Sequence, residues 1–504
     1  MKLAHQILED ITRFTGSHYL ARIFDIFKSI YIRKVLGPLT MGFFSELSLI
    51  IQYGKLHHLG ILGALDREIP LSRAKSQQDK LNQIQSVSFT CCIVTAFITA
   101  LLLLLGYWLP ISSDIKKNLA LVALFILADS FLSYYRILLR TDHQFNTLSK
   151  VNIVSSVVDT FLVVILTLWL GVTGLLVSMI FTSLSGTFIV TRSHPKLSKI
   201  PFGFDWKLFQ SLIKIGIPLS IYGFIRAAFL SIDRILILFF LDRIHLGYYS
   251  IAMMLYNFIT PFPKMAYSVL YPRFIESYGR TESLEKSESY LIKPTLVFGY
   301  FSPLVAGVGV LFLPFFIHYV LPHFQPGLVP AQILLWGTCC YSLIFMWGYA
   351  LIALGKQWSM LWFNLMAILF EVIVCSFLVK VCKLGLIGIA LGTSMAHFLL
   401  SLLLISYVLW RHQGKTRKCF QFLIRLYLPL AGAILVAGII PNWISYSFSS
   451  VWLDFFFFCA QAAIFLVLCG PLSIYYLNRW APLLKTLKEW QSLRPKKDSA
   501  ILEE

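Results

Sequence analysis

Charged residues are scarce in this sequence, at 13% of its 504 residues, whereas soluble domains carry about 25%. Hydrophobic residues make up 58% of the chain, and the mean hydropathy is +0.75. A chain with so little charge cannot keep most of its surface in water, so a large soluble domain is excluded. The length leaves room for about a dozen or more membrane-spanning helices of roughly 20 residues each.

Metal-binding and nucleotide-binding motifs are also missing. The nine cysteines lie mostly in apolar runs, and no CxxC motif or Cys/His cluster occurs, so we expect neither a disulfide framework nor a metal site. The nearest approach to a phosphate-binding loop is Gly414-Lys415-Thr416, but Leu409 stands where the leading glycine belongs. We therefore expect no nucleotide-driven motor and no cofactor.

Other function classes are excluded by what the connecting segments lack. The predicted outer loops are short and poor in paired carboxylates, so we expect a protein that is not an enzyme. The net charge of +19 comes from cations beside hydrophobic runs, where they meet anionic lipid headgroups, and nucleic acid is not an expected partner. Residues 1–13 lack the apolar core of a cleavable signal peptide, so we expect the first helix to be retained.

Apolar runs of bilayer length predict about fourteen membrane-spanning helices. Lys and Arg concentrate in alternate loops, which predicts both termini on the cytoplasmic side of the membrane. The predicted helices lie near 12–35, 38–60, 86–110, 117–139, 149–169, 171–191, 207–240, 245–271, 292–320, 328–354, 358–380, 384–410, 420–440 and 452–478.

The first six predicted helices recur as the next six. Leu36 to Ser45 lines up with Leu241 to Ser250, Asp159 with Glu371, and Gly171 with Gly385, each about 210 residues further on. Because six is even, both copies have the same orientation, which implies a pseudo-twofold axis along the membrane normal. The prediction is an all-α integral membrane protein with two parallel six-helix lobes around a central cavity, followed by two extra helices. The predicted boundaries are 1–203, 204–412 and 413–504.

Charged and polar residues form stripes along four of the predicted helices. On helix 1 the residues His18, Arg22, Asp25, Ser29 and Arg33 fall within about 80° of one another. Shorter stripes carry Gln52 and Lys55, Arg226 and Asp233, and Asn257 and Lys264. One charge facing lipid at mid-bilayer costs roughly 2.5 to 3.5 kcal/mol, so we expect the stripes to face a cavity or one another.

The excess of Arg and Lys in these stripes predicts a cavity that attracts anions. Lys55 and Lys264 have no acid three or four residues away, which favours a ligand role, although both could snorkel to an interface. Arg22 with Asp25 and Arg226 with Asp233 could instead be ion pairs that hold helices together. The candidate anion-binding residues are Arg22, Lys55, Arg226 and Lys264, and the candidate cavity partners are His18, Asp25, Asp233, Gln52 and Asn257.

Acids within apolar helices are candidates for ion coupling, because burial raises the pKa of a carboxyl group and permits proton exchange. These acids are Asp159, Glu371, Asp129 and Glu46. The alternative is a hydrogen-bonded packing residue. Asp159 and Glu371 stand out because they recur at aligned positions of the repeat. Pro218 and Pro261 predict bends in helices 7 and 8.

The segments Arg33 to Ser45, Asp233 to Leu241 and Leu246 to Ala252 resemble the polysaccharide (Wzx-type) flippases of the multidrug/oligosaccharidyl-lipid/polysaccharide exporter superfamily. The resemblance implies that the chain moves a polyprenyl-pyrophosphate-linked oligosaccharide between leaflets by alternating access, for cell-surface polysaccharides such as the O-antigen of lipopolysaccharide. The expected partners are membrane lipids, this lipid-linked glycan, and the polysaccharide polymerase and chain-length machinery. A peptidoglycan-precursor flippase, a drug/cation antiporter of the same superfamily and a non-transporting scaffold are the alternatives.

Overall fold

The computed structural model of this chain is helical throughout, with no strand, over the residues that it describes: 2–75, 77–142, 144–195, 202–265, 267, 270–271, 274, 288–413 and 416–480. The predicted all-α fold is thus confirmed. The helices are α1 (Lys2–Gly54), α2 (Ile61–Ala74), α3 (Gln78–Leu105), α4 (Ser113–Thr141), α5 (Phe145–Leu170), α6 (Val172–Ser193), α7 (Trp206–Phe229), α8 (Ile232–Phe240), α9 (Arg243–Ile259), α10 (Glu288–Val320), α11 (Leu328–Ala353), α12 (Gln357–Lys380), α13 (Gly385–Gln413), α14 (Thr416–Trp443) and α15 (Val451–Trp480).

Twelve helical stretches in the described ranges are long and apolar enough to cross a membrane, as expected of an integral membrane protein. One of them, Ala21–His58, covers most of predicted helices 1 and 2, which are two helical segments separated by a kink at Gly37 (φ 70°, ψ 176°) just before Pro38. Predicted helix 8 corresponds to α9 and the helical residues 261–265, and the rest of 245–271 lies partly outside the described residues.

Two segments differ from their predictions. Predicted helix 7 (207–240) is interrupted between α7 and α8, where the Ser231 hydroxyl donates to the carbonyl of Ala227 in competition with the helical backbone bonds. The charged segment after helix 2 was expected to be a loop, but most of it is α2. Hydrophobic periodicity indicates neither the break in helix 7 nor α2. It misses α2 because this helix is short and moderately polar.

The chain forms two compact units. The first contains residues 1–238 and 242–250, and the second contains 239–241 and 251–504. In the first unit α1 packs along α5, α5 on α6, α6 on α4, and α4 on α3. In the second unit α10 packs on α11, α11 on α13, and α13 on α12, while α14 and α15 pack against α10. The boundaries predicted from the repeat stay a prediction.

The internal repeat is visible in the packing of each unit. The helix pairs α3–α4, α4–α6 and α5–α6 of the first unit have counterparts in α10–α11, α11–α13 and α12–α13 of the second. The aligned glycines Gly171 and Gly385 both have a positive φ, 58° and 52°, at the start of α6 and α13. A residue with a side chain rarely adopts this conformation, so glycine serves the same turn in both copies.

Candidate functional site: the charged helices of the first unit

The stripe on α1 carries a chain of ion pairs. Arg22 Nη1 lies 3.6 Å from Asp25 Oδ2, so the pair expected within helix 1 is present. Lys28 Nζ lies 3.1 Å from Asp25 Oδ1 and also pairs with Asp159 on α5. His18 belongs to α1, but its side chain lies outside the described residues. The stripe thus joins α1 to α5 through alternating charges.

Lys28 is a residue that the sequence analysis missed. It lies three positions after Asp25, on the same side of the helix, and this spacing was available in the sequence. Its main partner, Asp159, also accepts a hydrogen bond of 3.2 Å from the Thr182 hydroxyl on α6. Asp159 is therefore an ion-paired, hydrogen-bonded carboxylate that contacts two neighbouring helices.

Lys55 has an acidic partner from another helix, although no acid lies three or four residues away in sequence. Its Nζ atom is 3.1 Å from Asp129 Oδ2 on α4 and 4.7 Å from the centroid of the Phe125 ring. Ser133 donates a hydrogen bond of 3.3 Å to the same carboxylate. The Lys55 side chain keeps 40% of its surface exposed, so the amine can reach a ligand while it stays paired.

Arg136 is a second cation that the sequence analysis missed. It lies seven residues after Asp129 on α4, which places it on the same face of the helix two turns further on. Its Nε atom is buried and has no hydrogen-bond partner among the described residues. A buried guanidinium donor without a partner is costly, so Arg136 is suited to receive an anionic group.

Arg33 lies at the end of the same stripe and is buried, with 7% of its surface exposed. Its Nη2 atom donates to the carbonyl of Ser250 at 2.7 Å, its Nε atom donates to the Ser250 hydroxyl at 3.2 Å, and its Nη1 atom donates to the carbonyl of Ser29 at 2.8 Å. All three bonds are to neutral oxygens, so they satisfy the donors without cancelling the charge. Arg33 ties α1 to α9.

Glu46, a candidate for ion coupling, is paired with Arg243 at the start of α9. Nε and Nη2 of Arg243 both lie 2.9 Å from Glu46 Oε2. The third nitrogen, Nη1, is 3.4 Å from Asp114 Oδ2 on α4, and the guanidinium lies 4.8 Å from the centroid of the Phe43 ring. This network joins α1, α4 and α9 within the first unit.

The helices α7 and α8 bring further polar side chains to α1. Gln52 donates to the carbonyl of Ala227 at 3.0 Å and accepts from Arg234 Nη2 at 2.8 Å. Asp233 is buried, and Arg234 Nε lies 3.8 Å from its Oδ1 atom. The sequence analysis missed Arg234 as the partner of Asp233, because the side chains of adjacent residues point in different directions on a helix. Arg226 is partly buried on α7.

The second unit holds the remaining candidates. Glu371 on α12 is fully buried and accepts a hydrogen bond of 2.8 Å from the Thr393 hydroxyl on α13. Its aligned counterpart Asp159 is bonded to Thr182 on the next helix in the same way. Asn257 and Lys264 are exposed in the structure. The repeat thus preserves an acid and threonine pair between consecutive helices.

Cations outnumber acids among these charges of the first unit. The acids each have a cationic partner, whereas Arg33 is bonded to neutral oxygens. The cations are Arg22, Lys28, Arg33, Lys55, Arg136, Arg226, Arg234 and Arg243, and the acids are Asp25, Glu46, Asp114, Asp129, Asp159 and Asp233. These residues together carry a net positive charge, and an anion is the ligand that such a set attracts.

Comparison with known protein families places the chain in a described family. The model of the family described as "Polysaccharide biosynthesis protein" matches residues 7–278, which is more than half of the chain. No curated protein matches the sequence at a significant level.

Solved structures with the same fold are transporters and flippases. The lipid II flippase MurJ in an inward closed conformation superimposes with a TM-score of 0.60 at 15% identity, covering 91% of this chain and 99% of that one. An inward-facing multidrug resistance MATE family transporter of the MOP superfamily gives 0.59 at 14% identity, covering 80% and 98%. A variant of the Vibrio cholerae MATE transporter VcmN gives 0.58 at 16% identity, covering 85% and 99%. The fold is that of the superfamily which the sequence resembles.

Proposed function

We propose that this chain, which belongs to the family of polysaccharide biosynthesis proteins, is a flippase for a polyprenyl-pyrophosphate-linked oligosaccharide. It moves the headgroup from the cytoplasmic to the outer leaflet by alternating access and supplies the synthesis of a cell-surface polysaccharide such as an O-antigen. In this proposal the protein lies in the bacterial inner membrane with both termini cytoplasmic and works beside the polymerase and chain-length machinery.

The observation that carries the proposal is the surplus of cations on the spanning helices of the first unit. A pyrophosphate brings two phosphate groups that each accept several charge-assisted hydrogen bonds. Lys55 is accessible beside its acidic partner, and Arg136 has a buried donor with no partner among the described residues. We assign the headgroup contacts to Arg22, Lys55, Arg226 and Lys264, and add Arg136 to this set.

Ion coupling is proposed to run through the aligned acids Asp159 and Glu371. A proton or a sodium ion that binds the Asp159 carboxylate offsets its charge and weakens its pair with Lys28, which leaves the lysine available to an anion. Asp129 and Glu46, which pair with Lys55 and Arg243, are proposed to act in the same way. Binding of the coupling ion and of the headgroup then affects the same cations, and this linkage is what coupling requires.

The proline at position 218, inside α7, supports alternating access. Proline removes a backbone hydrogen bond, so a helix that contains it bends at low cost.

A peptidoglycan-precursor flippase is the second candidate. The lipid II flippase MurJ matches this chain over more of its length than the two MATE transporters compared above. Both candidate flippases move an anionic, lipid-linked headgroup. They differ in the glycan that this headgroup carries. A drug/cation antiporter needs an acidic interior, and the balance of charges in the first unit is the opposite.

The proposal is tested by a headgroup-accessibility assay in vesicles. Purified protein is reconstituted with a short-chain polyprenyl-pyrophosphate oligosaccharide, and a lectin that cannot cross the membrane reports the glycan on the outside. We expect the wild type to equilibrate the two leaflets and the combined Arg22→Ala, Lys55→Ala, Arg226→Ala and Lys264→Ala variant to be slow. Lys117→Ala, which removes an exposed cation at the start of α4, is the control. Normal flipping by the correctly inserted fourfold variant would refute the assignment.

A further inference from the structure

The helices α14 and α15 bring positive charge to one end of the second unit. Consecutive membrane-spanning helices run in opposite directions, so the start of α14 and the end of α15 share this end with the start of α12 and the end of α13. The acids whose side chains the structure describes in this unit lie elsewhere: Glu371 is buried within α12, and Asp454 is in the first turn of α15, at the opposite end. The cations near the positive end include Lys356, Arg411, Arg417, Lys418, Arg425 and Arg479.

Contacts among three helices bring Arg425 of α14 close to the last turns of α15. The Tyr300 hydroxyl on α10 donates to the backbone carbonyl of Arg425 at 3.0 Å. The Tyr300 ring stacks on the ring of Tyr476 on α15, with 6.0 Å between the centroids. Lys418 lies seven residues before Arg425, which places both cations on one face of α14, with Lys418 nearer the start of the helix.

The last turns of α15 contribute a pair of hydrogen-bond donors. Arg479 Nη1 donates to the Tyr475 hydroxyl, one turn earlier, at 3.0 Å. Because the hydroxyl oxygen accepts this bond, its own hydrogen can donate elsewhere, and a guanidinium has five N–H groups in all. Both side chains are exposed, so these donors can reach a ligand in the membrane. A phosphate oxygen is an acceptor that forms strong, charge-assisted bonds with such a pair.

The aromatic residues at this end indicate the depth of lipid headgroups. Trp410 on α13 and Tyr475 each expose more than half of their surface, and Trp and Tyr concentrate where the membrane meets water. Side chains of an α-helix point toward its start, so Lys418 and Arg425 extend toward the same depth from α14. The two helices thus present cations and a hydroxyl donor at one level.

We propose that Lys418, Arg425, Tyr475 and Arg479 bind the phosphate of an anionic phospholipid, with phosphatidylglycerol as the type. The surrounding cations favour an anionic headgroup over a zwitterionic one, because the amine of a zwitterionic headgroup is repelled by them. Tyr475 adds a directed, uncharged donor, which a general excess of positive charge does not provide. These four residues are different from those assigned to the headgroup of the lipid-linked glycan.

The test measures contact between the full-length protein and a photoreactive lipid. The protein is placed in phosphatidylcholine nanodiscs that contain a small fraction of phosphatidylglycerol with a diazirine in its headgroup, and mass spectrometry locates the adducts. A phosphatidylcholine with the same diazirine is the reference lipid. We expect adducts at the start of α14 and the end of α15 to be at least threefold more frequent with phosphatidylglycerol. Equal labelling by the two lipids would overturn the proposal.

A pair of double variants separates a binding site from general attraction by charge. Arg425→Gln combined with Arg479→Gln should lower labelling by phosphatidylglycerol about threefold to tenfold. Lys356→Gln combined with Arg411→Gln is the matched control, because it removes two exposed cations from the same end of the unit, at α12 and α13, and it should label like the wild type. An equal loss in both double variants, or no loss in the first, would overturn the proposal.

Tyr475→Phe tests the donor without changing the charge. The position is exposed, so this variant should fold even if the double variant at Arg425 and Arg479 does not. Removing the hydroxyl should lower labelling by phosphatidylglycerol about twofold to tenfold and leave labelling by phosphatidylcholine the same. Unchanged labelling by phosphatidylglycerol contradicts the proposed site. None of these measurements requires transport of the glycan, so failure of this proposal leaves the proposed function untouched.

Discussion

Gly42 and Gly247, which the internal repeat aligns, occupy reciprocal positions in one crossing of α1 and α9. A Cβ atom on Gly42 would lie 1.8 Å from the carbonyl oxygen of Arg243, and one on Gly247 would lie 1.8 Å from that of Pro38. Arg243 and Pro38 are themselves aligned by the repeat, each four residues before the other glycine. The two aligned segments therefore form a contact with twofold character, in which each segment contributes the equivalent surface.

The first prediction concerns this crossing. Because the obstructing atoms are backbone, Gly42→Ala or Gly247→Ala must push the helices apart, which we expect to cost about 1–3 kcal/mol in the free energy of unfolding. Gly432→Ala on α14 is the control, since a Cβ there meets nothing within 4 Å. Denaturant unfolding in micelles measures all three. If all three alanine variants are equally stable, helix contact at this point is not tight.

The second prediction concerns Lys28 and Asp159. Lys28→Met leaves a largely buried carboxylate without its cation and should cost about 3 kcal/mol, while the double variant with Asp159→Asn should recover a large part of the loss. Arg140 and Asp66 form an exposed pair at 2.8 Å, and breaking that pair should cost less than about 1 kcal/mol. A double-mutant cycle on each pair gives the two coupling energies. Equal coupling energies would contradict the burial of the Lys28 pair.

The third prediction separates the two acids that contact Arg243. Glu46→Gln replaces the carboxylate that pairs with Arg243 by a neutral amide in a partly buried place, so it should reduce the free energy of unfolding by about 2 kcal/mol. Asp114 contacts the same arginine, but its side chain is 60% exposed, and Asp114→Asn should cost less than about 1 kcal/mol. Arg243 is unchanged in both variants, so the two losses of stability can be compared directly. A larger loss from Asp114→Asn would show that the network is held from α4 instead.

The fourth prediction concerns Arg136. If this guanidinium receives the headgroup, Arg136→Gln should weaken binding of the lipid-linked glycan about tenfold, which is the loss of one charge-assisted hydrogen bond. Removing its unpartnered buried donor should not lower the free energy of unfolding. Microscale binding measurements on the purified protein, with Lys117→Gln beside it, test both statements. Loss of stability without loss of binding would make Arg136 a structural residue.

The repeat could be predicted from the sequence because it depends on backbone requirements that few residues meet. Gly171 and Gly385 share a positive φ, and Gly42 and Gly247 share a close approach, so the same residue type recurs where the same backbone is needed. The acids Asp159 and Glu371 were aligned in the same way, and both accept from a threonine on the next helix.

The pairing of charges could not be predicted to the same extent. Lys55, in the turn directly after α1, meets Asp129 only because the end of α1 packs near α4, and the spacing of residues within one helix carries no information about this contact. Lys28 and Arg136 were overlooked for a different reason, since both lie at helical spacing from an acid that had been noted. At the break after α7 the Ser231 hydroxyl bonds to the carbonyl of Ala227, and hydrophobic periodicity does not indicate such a break.

The central claim, that the positive charges on the spanning helices serve an anionic headgroup, is tested most directly by changing the headgroup alone. One glycan is attached to the same short polyprenyl chain either through a pyrophosphate or through a neutral ether, and the flipping rate of each is measured in the same proteoliposomes at two salt concentrations. The account predicts that the pyrophosphate form is flipped at least tenfold faster and binds less tightly as salt rises. Equal rates for the two lipids would contradict it.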